Sequence, residues 1–178
     1  MSRTLLILLI SVSILILGVA IAGLIFYSIV INPEIEKPII EKPPLIEIPQ
    51  EEIENPNFPR INEGHIDYLL NELGFYSLHK HITTGELPMI NTAVININKE
   101  YFSVVRDNNI ETVESSEGDV DIKIRTNQDV LISLWDSETP AQDANDYYES
   151  GDIEMEILKS QEELALKGYL VIYENFFS

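Results

Sequence analysis

The chain has 178 residues and a formal net charge of −19, from 30 acidic against 11 basic side chains, yet its mean hydropathy is slightly positive at +0.03. So large an acidic excess leaves no basic face to neutralise phosphates, which excludes a nucleic-acid binder. The absence of cysteine excludes a disulfide framework, a cysteine nucleophile and thiolate metal sites.

Charge and hydropathy are segregated along the chain. Residues 1–31 contribute +1, residues 32–60 contribute −4 and residues 61–178 contribute −16. From Leu5 to Ile31, 27 residues carry no charge and are mostly Leu, Ile and Val. About 20 apolar residues cross a bilayer core of roughly 30 Å. Residues 5–31 are therefore predicted to form a single transmembrane helix behind a short tail, residues 1–4, with the lipid bilayer as its partner. A signal peptide cleaved near Ala20-Ile21-Ala22 is the alternative. Its apolar region would run for about 7–15 residues, whereas mostly apolar sequence continues past Gly23. The tail is short and has no acid, which favours a cytoplasmic N-terminus and an extracytoplasmic domain.

Seven of the nine prolines fall between Asn32 and Arg60. Proline at this density blocks helix and central strand, so residues 32–60 are predicted to be an extended polyproline-II spacer.

Residues 61–178 are long enough for one core. Asn62 is placed to cap a helix whose stripe is Ile66, Leu69, Leu70 and Leu73, with Gly74 as its stop. Strands are predicted over Ile90–Ile97, over Tyr101–Arg106 paired with Ile110–Val113 through Asp107-Asn108-Asn109, and over Val120–Ile124. Thr126-x-x-Asp129 reads as a capping box for the next helix, and Thr139-Pro140 starts another that Gly151 stops. Ile153, Met155 and Ile157 alternate with glutamates as a further strand, and Ser160-x-x-Glu163 caps the last helix. Residues 168–177 fit either helix or strand. The class is α+β: a mostly antiparallel sheet of about five strands with helices on one face, preceded by the transmembrane helix and the proline-rich linker.

Chemistry-bearing clusters are sparse. His79-Lys80-His81 has no further ligands near it in sequence, and His65 is expected on an exposed helix face. Ser77-x-x-Lys80 lacks the companion motifs of serine–lysine chemistry. Asp119 with Asp121, and Glu154 with Glu156, alternate with apolar residues and read as solvated strand faces. No phosphate loop or metalloprotease signature is present. The expectation is a protein that is not an enzyme and carries no metal or cofactor.

From Ile90 onward, about 90 residues resemble the sterol carrier protein type 2 lipid-binding family. The resemblance lies in the hairpin Tyr101–Val113, then Gly118-Asp119-Val120-Asp121-Ile122-Lys123-Ile124, the helix with Leu131 and Leu134, and Tyr148-Glu149-Ser150-Gly151-Asp152-Ile153-Glu154-Met155. Asp152 stands where that family usually has lysine, and Ile157-Leu158-Lys159 replaces its closing glycine and aspartate. The resemblance implies a sheet and helices enclosing an apolar tunnel for lipid or a fatty acyl chain. It also implies lining by Leu131, Leu134, Trp135, Ile153, Met155, Ile157, Leu166 and Leu170. Each of these fits plain core packing as well, because pattern does not separate a pocket from a core. Two readings follow: a membrane-tethered, non-catalytic binder of an apolar ligand, or a stalk-displayed domain that binds a protein partner.

Overall fold

A computed structural model describes residues 36–55, 57–116 and 118–177. The predicted span 5–31 lies outside them. No helix among the described residues is long and apolar enough to cross a membrane. Residues 35–178 form one compact unit, and the core of the described residues runs in it from Ile61 to Ile172.

Asn62 starts helix α1 (Glu63–Glu72), and its side-chain oxygen accepts from the backbone N–H of His65. Strands β1 (Met89–Val94), β2 (Lys99–Arg106) and β3 (Asn109–Glu114) follow as an antiparallel meander. Asp107 and Asn108 take positive φ in the β2–β3 turn, a conformation aspartate and asparagine tolerate. Strand β4 (Ile122–Thr126) lies on the other side of β1 and runs parallel to it. Helices α2 (Gln128–Asp136) and α3 (Pro140–Ser150) come next, then edge strand β5 (Glu154–Ile157) antiparallel to β4. The order is β3-β2-β1-β4-β5, so the sheet is mixed, with one parallel pair at its centre.

Register puts Ile90, Thr92, Tyr101, Val105, Ile122 and Ile124 on one face, all buried beneath the helices. The other face carries a polar ladder in which Glu100 pairs with Lys123 at 3.3 Å and Arg125 with Glu156 at 3.1 Å.

The chain end resolves into two helices, α4 (Gln161–Leu166) and α5 (Tyr169–Phe177). Ser160 and Glu163 form the predicted capping box at the start of α4. Gly168 between the helices has φ +88°, and a Cβ there would stand 2.9 Å from the His79 ring. Both the turn and the close approach call for glycine.

The sequence reading of α2's start is corrected. Thr126 belongs to β4 and its hydroxyl donates to Asp152 O at 2.9 Å, so it does not cap the helix. The backbone N–H of Gln128 is instead satisfied by Asn96 Oδ1 at 2.8 Å, a partner from a distant turn.

The proline-rich segment is not a free spacer. Residues 37–49 have no helix or strand, a 3-10 turn follows at Gln50–Glu52, Ile46 N donates to Arg60 O at 3.0 Å, and the two ends of the segment lie as a strap on the helices. Asn71 donates to Pro38 O (3.3 Å), Trp135 Nε1 to Pro43 O (3.0 Å), and His65 Nε2 meets Pro44 O at 3.1 Å. Lys42 Nζ stands 4.0 Å from the Trp135 ring centroid, and Leu45 packs on the core. At the far end the buried Gln128 accepts from Arg60 N (2.6 Å) and donates to Phe58 O (3.0 Å). Proline removes a donor from the backbone but leaves its carbonyl as an acceptor, and that carbonyl is what the domain holds.

Candidate functional site

Two apolar spaces border the helix–sheet interface. The first lies between α1, α2 and the sheet, lined by Leu69, Leu70, Ile124, Leu131, Leu134, Ile153 and Met155 among others, and holds only about 30 Å³. That is room for one water, and the walls are apolar, so this interior is packed.

The second is a groove of about 290 Å³ at the β5 edge. Strands β4 and β5 give it Ile122, Met155 and Ile157; α4 gives Gln161 and Leu164; α5 gives Tyr169, Leu170, Ile172 and Tyr173. Strand alternation turns Met155 and Ile157 to the helix side, while Glu154 and Glu156 face away. The capping box that starts α4 and the bend at Gly168 aim two short helices across this edge. Ile122, Leu164, Tyr169 and Ile172 are buried as its floor. Ile157, Leu170 and Tyr173 are 49%, 47% and 53% exposed at its rim. The volume sits at the low end of small-molecule sites.

The eight residues named from the sequence are thus divided. Leu131, Leu134 and Ile153 line the packed space, Met155 borders both spaces, and Ile157 and Leu170 line the groove. Trp135 is occupied by the strap, and Leu166, half-buried, lines neither. The resemblance does not mark the other lining residues, Gln161, Leu164, Tyr169, Ile172 and Tyr173. The period-3.6 stripe of 164–173 is broken by Gly168, so its two halves read separately.

Beneath the groove floor is a buried ion pair. Asp121 is 1% exposed; it is not on a solvated strand face, as its alternation with Val120 and Ile122 suggests. Its carboxylate accepts from Lys167 Nζ at 2.7 Å, Tyr169 OH at 3.0 Å and Met89 N at 2.9 Å. Lys167 also donates to Leu87 O at 3.2 Å. Burial, and then the Asp121 charge, hold the Tyr169 hydroxyl well above its ordinary pKa, so it stays a donor. Every strong group here has a partner, which is the arrangement of a structural pin. Asp119, by contrast, is exposed and paired with Lys159 at 2.7 Å.

His65 is also corrected: it is buried beneath the strap, and burial lowers its pKa. Its expected exposure failed because residues 43–44 return to cover it. His81 is buried, and its Nδ1 lies within hydrogen-bonding distance of the Thr83 and Thr84 backbone N–H groups (3.2 and 3.1 Å). No cluster of three metal-ligating side chains occurs among the described residues.

No protein-family model and no curated protein matches this sequence. Among solved structures, the chain is similar to one described as the UbiJ-SCP2 ubiquinone synthesis protein, with 13% identity, a TM-score of 0.36 and coverage of 61% of this chain and 77% of that one. It is also similar to the inverting sec-alkylsulfatase Pisa1 from a Pseudomonas species, at 11% identity and a TM-score of 0.31. That match covers 44% of this chain and only 12% of the sulfatase. Both likenesses are distant, and neither bears on the chemistry of the groove.

Proposed function

We propose that this protein is a membrane-tethered, non-catalytic module that holds one apolar ligand, a lipid or an acyl chain, in the groove between β5, α4 and α5. One observation carries the reading. An apolar groove of about 290 Å³ stays open beside a packed interior, with three large side chains about half exposed at its rim. Surface apolar residues occur singly on most domains, but a lined concavity of this kind marks a binding site. The sequence resemblance of residues 90–178 to a lipid-binding family points the same way.

Native mass spectrometry of a 35–178 fragment is expected to show a co-purified lipid or acyl compound. Leu170→Glu, which places a charge at the exposed rim, is expected to abolish that mass without unfolding the domain. A fragment that is empty in every preparation, and takes up no lipid when it is offered, would sink the reading. It would favour the rival, a domain with a packed core that binds protein, which the nearly closed space under α1 and α2 supports.

Tethering belongs to the same proposal, through residues 5–31, with the domain on the extracytoplasmic side. Protease added to intact cells is expected to degrade the domain; a domain that survives until lysis lies inside.

A further inference from the structure

We infer that the ligand is a single-chain amphiphile with an uncharged polar end, such as a long-chain alcohol or ester, and that the groove discriminates against fatty-acid anions. The inference rests on the groove reading above and adds the chemistry of the ligand's polar end.

None of the groove's lining residues carries a charge. Four cations lie on the elements that build it or beside them, and all are engaged. Lys167 is buried against Asp121 at 2.7 Å, Lys159 is held by Asp119 at 2.7 Å, Arg125 by Glu156 at 3.1 Å and Lys123 by Glu100 at 3.3 Å. Helix α4 adds Glu162 and Glu163, β5 carries Glu154 and Glu156 on its opposite face, and the 61–178 region as a whole is −16. A carboxylate brought to this rim meets negative potential and no available cation, and a carboxylate drawn inward loses its hydration without a partner. An uncharged end meets neither cost. The Gln161 amide, a neutral donor and acceptor at the α4 end of the groove, suits a hydroxyl or ester oxygen.

Decan-1-ol and decanoate share a chain and differ at the polar end. Each is to be titrated against N-phenyl-1-naphthylamine, an uncharged fluorescent probe, bound to the 35–178 fragment at pH 8 and low salt. Decan-1-ol is expected to displace the probe at a concentration about tenfold lower or more, equivalent to about 1.4 kcal/mol. Gln161→Lys and, separately, Ile157→Lys put a cation at the rim at two exposed positions. Each is expected to improve decanoate several-fold, and about 1 M salt is expected to narrow the gap, since the Debye length there is about 3 Å. Decanoate matching the alcohol on the unaltered protein overturns the inference. So does a gap that survives both lysine variants and high salt, because the discrimination is then not electrostatic. Failure of both the probe and decan-1-ol to bind is a different result. It overturns the groove reading itself, and this inference with it.

Discussion

Lys167→Met is expected to lower the stability of the 35–178 fragment by about 3–5 kcal/mol, the usual cost of stranding one member of a buried ion pair. Typical domains have only about 5–15 kcal/mol in total, so the loss is severe. Asp121 would keep the Tyr169 hydroxyl and the Met89 N–H but lose the charge that balances it. The effect reaches the groove, because Tyr169 forms part of its floor and Lys167 sits at the end of α4. Adding Asp121→Asn is expected to recover much of the loss, since no charge then remains buried and the amide oxygen still accepts from both donors. Urea unfolding with an unchanged denaturant slope measures both variants. A single-variant loss below about 1 kcal/mol would show that the pair contributes little, as exposed pairs do.

Acidification below pH 6.5 is expected to loosen the strap before the core unfolds. Burial lowers the pKa of His65 from its ordinary 6.5, so the folded state disfavours the proton that the unfolded chain accepts. The stability this gives is therefore fully present above pH 6.5 and is lost as pH falls through the lower, folded value. His79, depressed by burial as well, adds to the loss in the same direction. Asp67 is shifted upward by burial and works the opposite way, but only in the carboxylate range at more acidic pH. Undocking residues 43–44 rehydrates His65 without opening the sheet, which makes the strap the part that yields first. Trp135 is the chain's only tryptophan and donates to Pro43 O, so its emission reports the strap directly. A red shift is expected as the pH falls below 6.5, with far-ultraviolet circular dichroism unchanged. Gln128→Leu, which releases the strap's other end, is expected to move that shift to higher pH. Emission that changes only together with the circular dichroism would show strap and core to be one cooperative unit.

What the sequence reveals here is what neighbouring residues decide. The Asn62 and Ser160 caps, Pro140 at the first turn of α3 and the Asp107-Asn108 turn depend on side chains a few positions apart, and all stand where they were expected. The α+β class with five strands follows from them. What distant partners decide stayed out of reach. Asp121 alternates with apolar neighbours like any wet-face residue, and the groups that bury it come 46 and 48 positions later. The parallel β1–β4 pairing needs the whole β2–β3 hairpin to be set aside to one side of β1. The strap is held largely through backbone carbonyls, which every residue has and no sequence pattern marks. For the same reason the candidate ligand site moved: Leu131 and Leu134 are apolar enough to line a tunnel, but α1 and the sheet pack against them and leave only about 30 Å³.

The strap also fixes an order of events during synthesis. Pro43 leaves the ribosome 92 residues before the indole that will hold it. At about 5–20 residues per second, the strap waits roughly 5–20 s for Trp135. His65 and Asn71 reach it sooner, but its contacts with Gln128 and Trp135 wait until the sheet's centre has emerged. Throughout that interval its prolines prevent it from joining the growing sheet as a stray strand, so the composition that suits it for docking also keeps it out of the way.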